Sequence, residues 1–560
     1  MIKNLLFLNF SHAFSHLTLV EPSQHHVTDA ILRQTTPVND PYLNSPAFRT
    51  DFTTSLPGEG EPKAYPHQVY KSVWSETQPT PARAPKLISH IKEMTEALNI
   101  DASDPGTAEI FTGSRLAENC LPYSMRYGGH QFGNWAGQLG DGRAISLGEV
   151  IDKEDQHWTL QLKGAGPTPY SREGDGFAVL RSSIREYMCA EAIHHLGIPT
   201  TRSLTLCTTG ETIARDVFYD GNVTMEQGAI VCRAAQSFVR FGNFEIHAAC
   251  REPELLKELA DYVIARNFPH LGTPGPDVYQ QWFREILQTT ASTVAHWQRV
   301  GFVHAVMNTD NMSILGQTID YGPYGWLEEY DTRWTPNYID NSMRRYSYGN
   351  QPEIALWNLY SLANALVPLF EATEPLVEVL DEYRDYYDTL WNNIMADKLG
   401  LNEYTPEDKT LIDSLWKTLQ LTDTDFTIFF RLLSEIDSPL DPASVRSAFA
   451  PAFYKADEFT GNVEEEFTQW LNTWQARTGK QNTKQQQAKM KAANPKYVLR
   501  NYLALEAIDA AEQGDFTEME NMMQVLRTPY DDQPDNEKYA ARRPDWATTK
   551  PGCTMLTCSS

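Results

Sequence analysis

The chain has 560 residues, 41% of them hydrophobic and 21% charged, which is typical of a folded globular protein and excludes collagenous, mucin-like and wholly disordered chains. Its formal net charge of −26 argues against a general nucleic-acid-binding surface, because such surfaces neutralise phosphates with Lys and Arg. No apolar run approaches the ~20 residues that cross a bilayer, so we expect no membrane span. The length suits one large two-lobed catalytic domain with appendages, or several ordinary domains.

Cysteine usage and the N-terminus bear on the compartment. The seven cysteines include no CxxC pair and form no dense disulfide framework, which favours reduced thiols. The segment 1–20 carries Lys3 as its only formal charge and contains no clear targeting signal. We expect a cytoplasmic protein if the source is bacterial and a mitochondrial one if it is eukaryotic.

The first part of the chain, residues 1–104, is rich in loop-forming residues, and we expect an extension that wraps the core. Within it, the segment 84–98 has apolar residues at helical spacing, which predicts a helix.

Residues 105–250 show strand and glycine-turn patterns around one amphipathic helix, and we expect an N-terminal lobe there. Two apolar segments, 144–150 and 157–162, flank a charged turn and predict a β-hairpin. The segment 178–196 has the spacing of a helix with one buried face. Strand, strand and helix in this order are typical of nucleotide-binding small lobes.

A glycine cluster comes directly before the first of these strands. Gly140 and Gly142 would let the backbone approach a phosphate closely, and Arg143 can add a charge-assisted hydrogen bond. A plain tight turn is the alternative for a glycine cluster taken alone.

Lys163 ends the second strand, where a lysine either reaches solvent or meets an anion. Glu186, on the amphipathic helix, is its predicted partner, and Glu191 is a rival on nearly the opposite face. A strand lysine held by a helix carboxylate over a glycine-rich turn is the small-lobe arrangement of kinase-like enzymes. Surface charges without a function are the alternative.

Further candidates lie in two other segments of this lobe. Asp175 and Gly176 belong to a second glycine-rich segment, which is either a flexible flap or a phosphate-facing loop. Arg233 and Arg240 are seven residues apart, which fits one helix face, although the flanking aromatics also allow a strand or a loop. Arginine binds phosphate bidentately, whereas ordinary salt bridges are the commoner role of such a pair.

Residues 251–500 are mostly helical by pattern, and we expect a C-terminal lobe with a catalytic hairpin at 304–323. Two short apolar runs flank a Gly-Gln turn, which predicts that Asp320 folds back towards Asp310 and Asn311. Converging carboxylate and amide oxygens suit Mg²⁺, with Mn²⁺ as the alternative. Two buried carboxylates would repel each other without a cation between them. A polar surface hairpin is the alternative.

This pattern matches the catalytic-loop Asn and the downstream metal-binding Asp of protein kinases, with one departure. In kinases the base Asp precedes the metal-binding Asn by five positions, where this chain has Val306, which cannot act as a base. Asp310 is instead directly adjacent to Asn311. The residues therefore predict ATP and metal binding, while the shifted aspartate argues against assuming ordinary phosphoryl transfer.

From about residue 50 to its end the chain resembles the selenoprotein O family of protein adenylyltransferases. The segments that carry the resemblance are YGGHQFG at 127–133, GQLGDGR at 137–143, LKGAG at 162–166, DG at 175–176, RSSIRE at 181–186, MNTDN at 307–311, TIDYGP at 318–323, NPKYVLRN at 494–501 and RTPYD at 527–531.

The resemblance implies an α+β, protein-kinase-like two-lobed fold with N-terminal and C-terminal extensions, in which ATP lies in a flipped orientation. It also implies Mg²⁺-dependent transfer of AMP from ATP to Ser, Thr or Tyr hydroxyls of protein substrates, with release of pyrophosphate. Asp310 would accept the proton, and Asn311 and Asp320 would hold the metal. Glu186 would pair with Lys163. The implied ATP contacts are Gly140, Gly142, Arg143, Lys163, Asp175, Gly176, Arg233, Arg240 and Asp320.

The end of the chain, residues 501–560, is expected to form a helix and a tail. The family often ends in a selenocysteine followed by two residues, and Cys558 occupies that place here. Cys553 can pair with it if the tail bends, so a redox role for both is one hypothesis and an inert tail is the other. The polar segment 480–496, with its glutamine run, is expected to be a mobile or solvent-facing loop.

The leading hypothesis is a monomeric adenylyltransferase. The alternatives are an ATP-binding pseudokinase scaffold, a protein kinase that transfers the γ-phosphate, and a redox protein centred on Cys558.

Overall fold

The structure, a computed structural model, describes residues 47–557 apart from residues 64, 218, 437–439, 441, 456 and 480–482. The expectation for the N-terminal ~48 residues and the hypothesis for Cys558 therefore lie almost wholly outside the described residues. Among the helices that the structure describes, none is both long and apolar enough to cross a membrane.

The described chain forms a mixed α+β fold. Its strands are β1 (Gly58–Glu59), β2 (Trp74–Glu76), β3 (Lys86–His90), β4 (Tyr123–Met125), β5 (Gly128–Gln131), β6 (Asn134–Gln138), β7 (Ala144–Ile151), β8 (His157–Lys163), β9 (Arg202–Asp216), β10 (Val223–Ala235), β11 (Phe302–Val303) and β12 (Gly325–Trp326). Its helices are α1 (Asp51–Ser55), α2 (Lys92–Ala97), α3 (Thr107–Phe111), α4 (Leu180–His195), α5 (Phe241–Ala249), α6 (Pro253–Asn267), α7 (Pro276–Val300), α8 (Gln351–Leu366), α9 (Glu374–Asp381), α10 (Tyr383–Lys398), α11 (Asp408–Leu419), α12 (Phe426–Leu433), α13 (Pro442–Phe449), α14 (Asn462–Thr478), α15 (Lys484–Ala493), α16 (Asn501–Glu512) and α17 (Thr517–Leu526).

One eight-stranded mixed sheet dominates the first half of the chain, in the order β1-β2-β4-β7-β8-β10-β9-β3. β1 and β2 pair in parallel, and the other neighbours pair antiparallel. Helix α4 packs against β9 and β10. Strands β5 and β6 form a separate two-stranded sheet, the β5–β6 hairpin.

The predicted hairpin at 144–162 is confirmed as β7 and β8, which pair antiparallel from Ala144–Lys163 to Ile151–His157. Its turn is held by Asp152, whose Oδ1 accepts from the backbone N–H groups of Glu154 and Gln156, each at 2.8 Å. The predicted helix at 178–196 is confirmed as α4. The hairpin and α4 together carry the lysine and the carboxylate of the site.

Two hydrophobic clusters fill the interior. The larger cluster joins the eight-stranded sheet to helices α4 to α9, α16 and α17, and the second groups buried side chains of α10 to α15. The longest helix, α7, starts with Pro276 at its first turn and ends at Gly301, whose φ of +75° is the left-handed cap that glycine favours.

The predicted helix at 84–98 is wrong in its first half, where strand β3 forms and helix α2 begins only at Lys92. β3 pairs with the edge of β9, from Lys86–Thr208 to His90–Thr205. Backbone hydrogen bonds to the edge of β9 stabilise this segment as a strand, and they outweigh the helical spacing of its apolar side chains.

The predicted hairpin within 304–323 is also wrong. Ser313 forms a bridge with Arg240 and Thr318 forms one with Thr200, so the two sides of the turn at Gly316 pair with other segments and not with each other. The segment directly before the predicted hairpin, Thr309–Asn311, is a short 3-10 turn. Bridges to distant segments, and not pairing across the turn at Gly316, therefore determine the backbone structure of 304–323.

The polar segment 480–496 was expected to be a loop, but α15 occupies much of it. Thr483 and Gln486 form a reciprocal capping box at its start, and Met490 is fully buried against Gly400. A cap and one buried apolar side chain are enough to order a polar helix on a packed surface.

Candidate functional site

A cleft of about 980 Å³ opens where β7 begins and β8 ends. It brings together most of the residues that the sequence predicted for nucleotide and metal: Gly140, Gly142, Arg143, Lys163, Asp175, Gly176, Arg233, Asp310, Asn311 and Asp320. The two other predicted residues are buried behind the cleft lining: Glu186 contacts Arg233, and Arg240 contacts Asp320.

The first glycine cluster packs closely on the segment around Tyr170. Gly140 has φ of +76°, and a Cβ there would lie 2.2 Å from the Tyr170 ring. A Cβ on Gly142 would lie 2.9 Å from the Tyr170 backbone oxygen. Only glycine therefore fits this loop, and its backbone lines the cleft without an intervening side chain.

The second glycine-rich segment forms the opposite lip of the cleft. Gly176 has φ of +76°, and a Cβ there would lie 2.2 Å from the Gly166 oxygen. Asp175 is half-exposed and its carboxylate accepts from Arg215, at 2.7 Å in the shorter contact. Because the Asp175 carboxylate is paired with Arg215, the pair adds little net charge to this lip of the cleft.

The ion pair predicted between Lys163 and Glu186 is present, whereas Glu191 pairs with Arg202 at 2.7 Å. Helix α4 therefore points one carboxylate into the site and the other towards β9. Lys163 Nζ also donates to Asp320 Oδ1 at 3.2 Å. Burial lowers the pKa of Lys163, and the two carboxylates oppose that change.

Asp320 is surrounded by protein cations. Its Oδ1 accepts from Arg233 Nη1 at 2.6 Å and its Oδ2 accepts from Arg240 Nη1 at 2.5 Å, in addition to the bond from Lys163. Burial alone would raise the pKa of Asp320, but the three cations outweigh it and hold that pKa well below its usual range. The expected repulsion between the buried carboxylates is thus offset by side chains of the chain itself.

Arg233 and Arg240 lie on different elements, so the single helix face suggested by their spacing does not exist. Arg233 is in β10 and also donates to Glu186 Oε1 at 2.7 Å. Arg240 caps the start of α5 and donates to the backbone oxygen of Asp310 at 2.8 Å. Arg240 thereby ties Asp320 to the Asp310 turn.

Asp310 is 7% exposed and lies in the turn Thr309–Asn311. Its Oδ2 accepts from Gln131 Nε2 at 3.2 Å, while its Oδ1 is buried and has no hydrogen-bond partner among the described residues. Burial raises the pKa of Asp310 to about 7, against the opposing effects of Gln131 and Arg240. A carboxylate with this pKa can accept a proton near neutral pH.

Asn311 and Asp320 fit a small divalent cation. Asn311 Nδ2 donates to the Val306 oxygen at 2.9 Å, which leaves its amide oxygen available. Asp320 Oδ2 accepts one hydrogen bond from the described residues and retains acceptor capacity. The described chain holds no metal-ligating group of three or more His, Cys, Asp or Glu. One carboxylate and one amide oxygen suit Mg²⁺, which takes few protein oxygens and keeps water and phosphate ligands.

Sequence reasoning missed two residues of the site. Gln131 lies in one of the motifs quoted above, but nothing in its local pattern indicated a contact with Asp310. Asp141 stands between Gly140 and Gly142, is 1% exposed and lines the cleft; it accepts from the Met125 backbone N–H at 2.9 Å. Its position within a glycine cluster was the available signal.

Cys553 is a free, buried cysteine, and burial raises the pKa of its thiol to about 11. A buried thiol with a high pKa is a poor nucleophile at neutral pH. Cys558, its proposed partner, lies outside the described residues.

The sequence matches known proteins over most of its length. Residues 64–527 match a family model described as protein adenylyltransferase SelO. The protein nucleotidyltransferase YdiU of Rhodopirellula baltica is 51% identical over 534 residues, which cover 92% of this chain and 99% of the relative. The proteins of the same name from an Azoarcus species and from Nitrosospira multiformis are 52% and 49% identical, and cover 92% and 93% of this chain and 99% and 97% of their own lengths.

Proposed function

The chain belongs to the protein adenylyltransferase SelO family and is a nucleotidyltransferase, and we propose that its cleft transfers AMP from ATP to Ser, Thr or Tyr hydroxyls of protein substrates, releasing pyrophosphate. The observation that carries the proposal is the position of Asp310, a buried carboxylate with raised pKa beside Asn311 in a cleft lined by cations.

The fold that we propose is kinase-like and two-lobed. The N-terminal lobe would be residues 105–250 and the helical C-terminal lobe residues 251–500. Residues 1–104 and 501–560 would be extensions, the first of which adds β1 to β3 to the sheet of the N-terminal lobe. The pairing of Lys163 in β8 with Glu186 in α4, over the Gly140–Gly142 turn, supports this assignment.

The triphosphate would lie against the sheet side of the cleft. Arg143, Lys163 and Arg233 line this side and supply positive charge, and the glycine loops allow close backbone approach. We propose the flipped orientation of ATP from the family resemblance, and in that orientation these cations would meet the phosphates. Arg240 would act through Asp320, which it holds, and not by contact with the nucleotide.

In the proposed reaction, Asp310 takes the proton of the acceptor hydroxyl. The hydroxyl oxygen then forms a bond to the α-phosphorus, and the bond from that phosphorus to the bridging oxygen of pyrophosphate breaks, so both electrons leave with pyrophosphate. Arg143, Lys163 and Arg233 would stabilise charge on the phosphates. Asp310 lines the cleft, and Gln131 Nε2 donates to its Oδ2 at 3.2 Å.

Asn311 and Asp320 would hold a divalent cation, which supplies charge neutralisation to the phosphates when bound. Lys163, Arg233 and Arg240 keep Asp320 ionised and oriented for this role at all physiological pH values, because they hold its pKa well below its usual range.

The test is the position of the label that reaches protein. With ATP labelled at the α-phosphate, we expect covalent label on protein; with ATP labelled at the γ-phosphate, we expect none. Asp310→Asn should lower the transfer rate by about 10² to 10⁴-fold while nucleotide binding persists.

The alternatives give different results in the same experiment. Label only from the γ position would make the protein a kinase. Nucleotide binding without label from either position would make it a pseudokinase scaffold.

A further inference from the structure

A cluster of half-exposed rings adjoins the Asp310 side of the cleft. The His130 ring centroid lies 5.2 Å from that of Trp135 and 5.5 Å from that of Trp357, and the Arg345 guanidinium lies 4.8 Å from the Trp357 ring. We call His130, Trp135, Arg345 and Trp357 the aromatic platform. It joins the β5–β6 hairpin to helix α8 and to the loop before it.

The platform is continuous with the proposed base. Gln131, the neighbour of His130, lines the cleft and donates to Asp310 Oδ2 at 3.2 Å. The backbone N–H of His130 donates to Thr309 Oγ1 at 2.7 Å, directly beside Asp310. A segment that brings a hydroxyl to Asp310 past Gln131 would therefore pass close to His130 of the platform.

The platform is accessible, although its parts are firmly supported. Trp135 is 39% exposed. His130 Nδ1 is 2.6 Å from Glu245 Oε1, and the backbone N–H groups of Arg345 and Tyr346 donate to the buried carboxylate of Asp340 at 2.9 and 2.7 Å. Exposed aromatic surface on a rigid support is typical of protein-binding sites.

Arg345 also has unused binding capacity. Within the described chain Arg345 forms no ion pair closer than 4 Å, although the Asp340 carboxylate lies near enough to interact with it electrostatically and Tyr346 is a further neighbour. Its Nε atom is buried with no hydrogen-bond partner there. Other buried or half-buried arginines, such as Arg233 and Arg202, are paired with carboxylates. A planar guanidinium held over an indole can bind an incoming carboxylate with its outer nitrogens.

We propose that the aromatic platform is the docking surface for the protein acceptor, and that it selects a segment with a carboxylate close to the acceptor hydroxyl. The hydroxyl reaches Asp310, a neighbouring side chain packs on Trp135, and the carboxylate binds Arg345. This inference rests on the proposed function, because it assigns the acceptor side of the same reaction.

The test measures binding, which does not depend on chemistry. The probes are fluorescent short peptides with a central Thr flanked either by Asp or by Lys, and the readout is anisotropy in the presence of ATP. We expect the unmodified protein to prefer the Asp-flanked peptide. Trp135→Ala should weaken that binding about tenfold, and Arg345→Glu should reverse the preference towards the Lys-flanked peptide.

The matched control is Trp546→Ala, which removes another half-exposed tryptophan, in the C-terminal part of the chain. It should leave peptide binding unchanged, and thermal melting of all variants should exclude unfolding. Equal binding by the unmodified protein, Trp135→Ala and Arg345→Glu, or no peptide binding at all, would overturn the proposal. Selective peptide binding without transfer of α-label would instead leave the docking surface standing and remove the proposed reaction.

Discussion

Asp310 and Asp320 lie in one cleft with opposite pKa shifts. Burial raises the pKa of Asp310 to about 7, whereas Arg233, Arg240 and Lys163 overcome burial at Asp320 and hold its pKa well below the usual range. Carboxylates whose environments separate their pKa values generally have separate roles. This supports a proton acceptor at Asp310 and a permanently charged group at Asp320.

The raised pKa of Asp310 predicts an acidic limb in the pH profile. Asp310 accepts a proton only when ionised, so kcat/KM for α-label transfer should fall as the pH drops through about 7. The change approaches about tenfold per pH unit. The measurement is a pH profile of initial rates at saturating metal. A profile that stays flat well below this value would contradict the assignment of Asp310 as the base.

The raised pKa of Asp310 also makes the stability of the folded protein fall with rising pH, whereas activity rises. Because the folded-state pKa is raised, folding favours the protonated form, and stability is lost as the pH rises through about 7. Asp310→Asn removes this loss. Its melting temperature should exceed that of the unmodified protein in alkaline buffer, and the difference should vanish in acid below the usual pKa of aspartate.

A substitution at Gly129 tests whether strand β5 holds the Asp310 carboxylate in place. A Cβ at Gly129 would lie 2.5 Å from Asp310 Oδ1 and 2.8 Å from its Cβ. Gly129→Ala should therefore displace the carboxylate and lower kcat by about a hundredfold, with a smaller effect on nucleotide binding. Gly60→Ala is the control, because a Cβ there meets nothing within 4 Å. An unchanged kcat for Gly129→Ala would contradict this support.

At the scale of elements, helix α4 connects the sheet to the site through two buried carboxylates. Glu186 contacts Lys163 and Arg233, whereas Glu191 binds Arg202 and the backbone N–H of Ser203. One end of the helix therefore orders cations of the cleft, and the other joins α4 to β9.

This division predicts separable effects for two matched substitutions. Glu186→Gln should lower α-label transfer by about a hundredfold, because Lys163 and Arg233 lose a shared partner. Glu191→Gln should cost about 3 kcal/mol of unfolding free energy and leave kcat almost unchanged. Denaturant unfolding and transfer rates measure the two quantities. Equal loss of kcat in both variants would show that α4 acts only as a structural support.

At the scale of the whole molecule, the C-terminal segment packs against elements that lie close to the cleft. Leu556 is 1% exposed, and its oxygen accepts from the Tyr338 N–H at 2.8 Å. Thr557 Oγ1 donates to the Val217 oxygen at 2.7 Å, at the end of β9. The tail thereby joins the loop before Arg345 to the strand pair that carries Arg233.

Truncation after Gly552 should therefore lower the melting temperature. Burial of Leu556 alone contributes about 2 kcal/mol, and the backbone bonds to Pro336 and Tyr338 add to it. Cys553→Ser is the control, because it removes the thiol and keeps the segment. If both variants melt alike, the thiol and not the tail contacts would be responsible.

Short-range pattern was sufficient for some parts of the site. The strand that ends in Lys163 and the helix that carries Glu186 were predicted correctly because period and residue type agree locally. For the glycine loops at Gly140 and Gly176 the local pattern left a plain turn or a flexible flap as the alternative. The sequence pattern predicted the wrong secondary structure at 84–98 and at 304–323, because strands and bridges form there with distant partners.

The sequence by itself therefore determined which residues are candidates for the chemistry, because motif order and residue type are local properties. Only the tertiary structure decided how they are held. Gln131 and Asp310 are 179 positions apart, Arg233 and Asp320 are 87 apart, and Arg240 and Asp320 are 80 apart. Contacts of this range follow from the packing of β5, β10 and α5 around the cleft, and no local pattern encodes them. These contacts separate the pKa values of Asp310 and Asp320, on which the proposed reaction depends.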